Sequence, residues 1–252
     1  MTSEPVLDRA RELWTELAAA TVEFPATEGA NVVVSPGSRL CPPLWTGLVA
    51  LGGAAVVTVP TMRAAALMAG AAVTLSPEEL VDADRLRAVL PVLDVLGPAS
   101  LCYLDHADFL PVRGVAAVEE TGYDHNRLSA LLAGAGEEDA DESGLAGITS
   151  PAFVLRERGH VIAAAGYQTW PRSVAHLSVL VAPGRRGRGL ARVVAAAAVA
   201  HALEGGLLPQ WRARVCASRR VAVALGFQEV GGQLSVRLDE TVSPVLAGET
   251  AV

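Results

Sequence analysis

At 252 residues, 51% of them hydrophobic and 19% charged, the chain is long enough to bury one large core or two smaller ones. A formal net charge of −7 argues against a general nucleic-acid binder, which needs a basic stripe. Cys41, Cys102 and Cys216 are odd in number and far apart, so neither a disulfide framework nor a metal knuckle is implied, and buried, reduced thiols in a cytoplasmic chain with no metal are expected.

In chain order, Met1 to Pro5 lacks the basic start of a secretory leader, and an amphipathic helix pattern follows over Glu4–Ala20. Val32–Val34 and Ala54–Val59 read as short buried strands. The apolar run Leu48–Val59 is broken by Gly52 and Gly53 and is too short to span a bilayer. Met62–Ala69 and Pro77–Leu90 read as helices, the second with Ser76 as N-cap and Pro77 at its first position. Ala99–Leu104 is another strand. Cys41, beside Pro42 and Pro43, reads as a packing residue, and nothing in the first hundred residues carries a catalytic pattern.

Asp105, His106 and Asp108 ahead of Pro111 have no fourth ligand at a matching spacing, so this stretch reads as a solvated boundary between 1–105 and a second domain. Val115–Val118 is expected as the first strand there, and Asp124 as the cap of a helix over His125–Leu132. The acidic run Glu137–Glu142 reads as a solvated loop or frayed helix. Ala152–Leu155 and Val161–Tyr167 form a hairpin through Arg158 and Gly159, and Trp170-Pro171-Arg172 leads on to the next strand.

Leu177–Val181 is a β-branched run stopped by Ala182-Pro183-Gly184. Gly184–Gly189 alternates three glycines with three arginines, and Leu190–Leu203 holds almost nothing but helix formers and apolar residues, closed by Gly205-Gly206. Strand, glycine/arginine loop, helix is the order that holds a phosphate. Glycine lets the backbone approach, the first-turn amides lack intrahelical partners, and the helix dipole adds about half a positive charge. The loop lacks the Gly-Lys-Ser/Thr of a Walker motif and the Gly-x-Gly-x-x-Gly of a dinucleotide fold. Beyond it, Trp211–Cys216 reads as a strand and Ser218–Ala224 as a short helix that Ser218 caps. Leu225-Gly226-Phe227 opens the closing strands Gln228–Val230 and Leu234–Leu238, and the tail 241–252 is expected to be disordered.

Arg186-Gly187-Arg188-Gly189-Leu190-Ala191 closely resembles the acetyl-CoA pyrophosphate loop of the GNAT N-acetyltransferase superfamily, whose motif is Arg/Gln-x-x-Gly-x-Gly/Ala. Ser218–Phe227 is similar to the C-terminal part of the same superfamily, and the resemblance covers roughly Val112–Leu238. It implies an α/β GNAT fold over 112–240, a mixed and mostly antiparallel central sheet with helices on both faces, preceded by an N-terminal α/β extension.

The resemblance also implies the ligand contacts. The pantetheine arm of acetyl-CoA would bond the backbone of Val179, Leu180 and Val181. Its pyrophosphate would meet Arg186, Gly187, Arg188, Gly189, Leu190, Ala191 and Arg192. The acidic run falls where the superfamily has its substrate-facing helices and would attract a cationic amine.

The superfamily's thiolate-protonating tyrosine is here Ala222, an asparagine frequent seven residues earlier is Val215, and a strand glutamate some members carry is Ala175. His176, Tyr167 and Ser218 remain as proton carriers. The implied activity is N-acetyl transfer from acetyl-CoA to a primary amine of a small molecule or protein, with no nucleic-acid or membrane partner and room for a homodimer. The alternative is a GNAT-fold module that holds CoA, or nothing, without turnover.

Overall fold

The computed structural model of the chain describes residues 4–113, 115–122 and 128–242. Its elements in order are α1 (Glu4–Leu17), β1 (Gly29–Val34), β2 (Thr46–Leu51), β3 (Ala54–Val59), α2 (Met62–Thr74), α3 (Ala83–Val89), β4 (Val92–Tyr103), β5 (Glu119–Thr121), α4 (Ser129–Ala135), α5 (Glu137–Ser143), β6 (Ala152–Glu157), β7 (His160–Trp170), β8 (Val174–Val181), α6 (Leu190–Glu204), β9 (Leu208–Ala213), α7 (Cys216–Ala224) and β10 (Gln228–Leu238). Among the described residues no helix is long and apolar enough to cross a membrane. The chain divides into two compact units. One holds Ala10–Ser100 with the residues from Val230 onward, the other the residues up to Arg9 with Leu101–Glu229.

In the first of these units β1 pairs in parallel with β3, β3 antiparallel with β2, and β2 antiparallel with β10. β2 and β3 are buried along their whole length. Leu67 and Met68 of α2, Leu80, and Leu86 of α3 pack with Leu48, Val57, Leu234 and Val236 into one core.

Here the structure departs from the sequence reading: the strand expected over Ala99–Leu104 begins already at Val92. The helix expected over Pro77–Leu90 is broken at Asp82, which leaves helical geometry (φ −101°, ψ 118°); its carboxylate accepts from the amides of Asp84 and Arg85 and so caps α3 afresh. The expected Ser76 cap is present as a reciprocal pair. The Ser76 hydroxyl accepts from Glu79 N at 3.3 Å, and the Glu79 carboxylate accepts from Ser76 N at 3.0 Å. The two closing strands are one continuous strand, β10. Gly231 and Gly232 are extended residues opposite Leu51 and Ala50, and a Cβ on Gly231 would run into the Ala50 carbonyl. Glycine here serves close approach of two backbones, not a turn. Thr241, in the expected tail, is bonded to Asp239 and Arg63, and residues 243–252 lie outside the described residues.

In the second unit the strand order is β9-β8-β7-β6-β5, with the end of β4 beyond β9. β5–β6, β6–β7 and β7–β8 are antiparallel and β8–β9 is parallel. The β6–β7 turn is the expected one, with Arg158 and Gly159 both at positive φ (52° and 83°).

Both faces of this sheet are covered. On one, Val194, Ala195, Ala198, Val199 and Ala202 of α6 pack with Phe153, Ala163, Ala165, Tyr167, Ala175 and Leu177. The alanines on both sides let helix and sheet come close. On the other face, Leu128, Leu131 of α4, Leu145 and Ile148 cover Val154, Ala164 and Leu180.

The expected strand at Val115–Val118 is a single 3-10 turn at Val115–Ala117, and strand begins only at Glu119. Asp124 and His125 lie outside the described residues. The strand expected over Trp211–Cys216 lies earlier, at Leu208–Ala213, because Cys216 already opens α7.

Candidate active site

β8 and β9 are hydrogen-bonded partners only over Val174–Leu208, Ala175–Pro209 and His176–Gln210. Both strands then continue, β8 to Val181 and β9 to Ala213, without further pairing between them. β7 stays paired with β8 up to Val181. Val179, Leu180 and Val181 therefore keep one neighbour and face an opening on the other side. Backbone groups on such an edge need a ligand or water.

The strand end leads into the loop. Gly189 stands immediately before α6 in the left-handed region (φ 77°, ψ 3°), with nothing within 4 Å of where a Cβ would lie. That conformation turns the chain into the helix; the amides of Arg192 and Val193 donate back to the Gly189 carbonyl, which leaves those of Leu190 and Ala191 ahead of the first helical bond. Arg188 is exposed. Arg185 is held by Glu157. Arg186 reaches back to the Val181 carbonyl at 3.3 Å and to the Asp139 carboxylate at 2.7 Å. In the first turn of α6, Arg192 Nε is buried with no hydrogen-bond partner among the described residues. An orphaned cationic donor, free helix amides and glycines without side chains fit a pyrophosphate.

The acidic run is ordered as α5, and two of its carboxylates three residues apart are engaged. Asp139 bonds Arg186, which follows β8, and Glu142 bonds Arg214, which follows β9. The helix thus ties together the chain segments that leave the two parted strands. The stretch expected as a solvated loop or frayed helix is thus a helix held as a bracket, because arginines at both strand ends meet the acids.

Asp139 competes with any anion for the Arg186 guanidinium. Asp139→Asn is therefore expected to tighten binding of a pyrophosphate-bearing probe such as CoA by roughly two- to fivefold, the worth of one exposed ion pair. Calorimetry at low salt checks this, and unchanged affinity would mean that Arg186 takes no part in binding.

The three expected proton carriers are not brought together. Strand alternation puts Tyr167 on the α6 face, where its hydroxyl meets His201 Nδ1 at 2.8 Å. Ser218 lies inside α7 and makes no helix cap; its hydroxyl accepts from Trp211 Nε1 at 2.8 Å. Ala222 is fully buried in the same core, so a tyrosine there would overpack it.

His176 alone stands on the opposite face, at the last paired position before the strands part. Its ring stacks on Trp170 (centroids 4.1 Å apart, 14° between planes), and its Nδ1 lies 2.9 Å from Gln210 Oε1. Desolvation first and the nearby Arg212 cation second hold its pKa down to about 4, against a smaller opposing effect of the Gln210 hydrogen bond. The imidazole is accordingly neutral at physiological pH. By contrast, burial raises the Cys41 thiol to about 11 and the Cys102 thiol to about 12, which removes both as nucleophiles.

The sequence reading passed over Gln210, Tyr103 and Trp170. The only local signal was Leu208-Pro209-Gln210-Trp211-Arg212, whose alternation sets Gln210 and Arg212 on the face opposite Trp211. Among the described residues no group of three or more His, Cys, Asp or Glu side chains could hold a metal ion.

Comparison with known proteins bears on the family and the fold. The GNAT acetyltransferase family model matches residues 150–232, which contain β6 to β9, α6, α7 and the start of β10. A GCN5-related N-acetyltransferase from Kribbella flavida superposes with a TM-score of 0.52 at 14% identity, over 94% of this chain and 96% of that one, which shows the GNAT fold. A protein described as an acetyltransferase from the GNAT family of Novosphingobium aromaticivorans is 20% identical over 57% of this chain, with a TM-score of 0.46. A GNAT acetyltransferase from Colwellia psychrerythraea is 16% identical over 59%, also with a TM-score of 0.46. The present chain spans 65% and 59% of the lengths of those two proteins. No curated protein matches the sequence.

Proposed function

We propose that the chain is an acetyl-CoA-dependent N-acetyltransferase that acts on a primary amine, in a cytoplasmic setting where its three thiols stay reduced. The observation that carries this reading is the parting of β8 and β9 directly after the His176–Gln210 pair, beside a left-handed Gly189 at the start of α6. The pantetheine arm fits the edge of Val179–Val181 that β9 leaves unpaired, at whose end Arg186 already meets the Val181 carbonyl, and the pyrophosphate fits the α6 amides with Arg186, Arg188 and Arg192. The thioester then reaches the vertex of the opening, where His176 stands.

The reaction is direct attack. The neutral amine nitrogen bonds to the thioester carbonyl carbon, and the carbonyl oxygen takes up negative charge. The nitrogen gives a proton to the neutral His176 imidazole, the C–S bond breaks, and the sulfur leaves with its electron pair. With its conjugate acid near 4, His176 holds that proton weakly and passes it to the thiolate, whose own pKa is about 8.5. The products are the amide and CoA thiol, and the base is regenerated. One residue thereby serves the two transfers for which the superfamily often uses two.

Such a weak base cannot strip an ammonium, so the acceptor must arrive neutral. At pH 7.5 about a third of an α-amine near pKa 7.8 is neutral, against about 0.1% of a lysine-like amine. The test is CoA affinity by calorimetry together with CoA release over a panel of α- and ε-amines. Turnover that favours the α-amines supports the reading; binding without release from any amine gives the non-catalytic CoA module instead, and no binding removes both.

A further inference from the structure

The Gln210 side chain lies entirely in the interior, 0% exposed, in the middle of a strand. A buried amide is costly unless both its ends are paired. Both are: Nε2 donates to the Tyr103 hydroxyl at 2.9 Å, and Oε1 faces His176 Nδ1 at 2.9 Å. Tyr103 is itself buried, 1% exposed, at the end of β4.

Because the amide's donor end is taken up by Tyr103, its acceptor end requires a hydrogen from the imidazole. A neutral imidazole carries one N–H, so a proton on Nδ1 leaves Nε2 with a lone pair. The Trp170 ring, stacked flat on His176 and held by its own bond to Gln168 Oε1 at 2.9 Å, stops the imidazole from turning over. We infer that Gln210 is a positioning residue for acetyl transfer, which holds His176 as the Nδ1–H tautomer and so keeps Nε2 free to accept the amine proton. This rests on the assignment of His176 as the proton carrier. The reverse orientation of the amide would hand Nδ1 a hydrogen, protonate Nε2 and block the site.

Several of the described residues face His176. β9 supplies Gln210 and the cationic Arg212, β7 the neutral Gln168 and Trp170, and β4 the Tyr103 hydroxyl behind the amide. The α5 acids Asp139 and Glu142 are bonded to Arg186 and Arg214. Any carboxylate introduced at 210 would therefore be the dominant new charge on the imidazole.

The experiment uses the full chain labelled with 15N-histidine, with His176 assigned by its loss in His176→Gln. Long-range proton–nitrogen spectra at pH 7 are expected to show Nδ1 protonated and Nε2 bare. Gln210→Met is expected to lower kcat about tenfold or more, as the tautomers mix, while KM for acetyl-CoA stays within about twofold. Gln210→Glu accepts the same hydrogen; it should recover most of kcat and move the break that His176 adds to the pH profile, below the acceptor's own, up from about pH 4 by at least about one unit, because a carboxylate favours the imidazolium. A protonated Nε2 in the wild type overturns the inference, as does full activity in Gln210→Met alongside an inactive His176→Ala. Full activity in His176→Ala overturns the proton-carrier assignment instead, and the tautomer spectrum tells the two failures apart.

Discussion

Gly189→Glu should abolish CoA binding while leaving the chain folded. The residue sits at φ 77°, where a side chain costs about 1–2 kcal/mol, but nothing lies within 4 Å of its Cβ position, so no collision adds to that strain. The effect on binding is of another size. A carboxylate at the start of α6 would lie where the pyrophosphate meets the helix amides, and two like charges about 4 Å apart repel by about 4 kcal/mol near a protein surface. That is about a thousandfold in affinity before the loss of contact is counted. Gly189→Ala separates the causes, since it carries the backbone strain without the charge and should retain most of the binding. Calorimetry with CoA, paired with a thermal melt of each variant, reads the result. Equal affinity in a folded Gly189→Glu would take the loop out of the site.

His176→Ala is the second large effect, a fall in kcat of about 10²–10⁴ with acetyl-CoA affinity retained. The sign of its pH dependence follows from the lowered pKa. The imidazole is the competent base above about pH 4 and is lost only as pH falls through that value, so in the range 5 to 7 His176 contributes no titration to the rate. The rate in that range should instead rise with the neutral fraction of the acceptor, and its midpoint should move when an amine of different pKa is supplied. A midpoint near 6.5 that ignores the acceptor would show an imidazole in contact with water, at odds with its stacking on Trp170 and its bond to Gln210.

The amino-acid sequence by itself determined the strand, loop and helix from Leu177 to Leu203, because everything that shapes them is local. Pro183 and Gly184 stop a β-branched run, Gly189 permits a left-handed turn, and an alanine-rich segment propagates a helix whichever way it is packed. The Arg158-Gly159 hairpin was legible for the same reason.

Tertiary structure decided what each side chain faces. His176 and Tyr167 stood level along the chain, with Ser218 read first as a helix cap, but strand register sends Tyr167 to His201 under α6 and leaves His176 of the three at the vertex. Register is set by pairing with distant strands, and a shift of one residue moves every side chain to the other face. The start of β9 at Leu208 had this effect, bringing Gln210 opposite His176. The acidic run could be read only as charge until Arg186 and Arg214 stood at the ends of two strands that part. Gly231 and Gly232 had the composition of a turn, and only the nearness of the β2 backbone made them part of a strand. In each case the deciding contact joins residues far apart in the chain, and no local propensity encodes it.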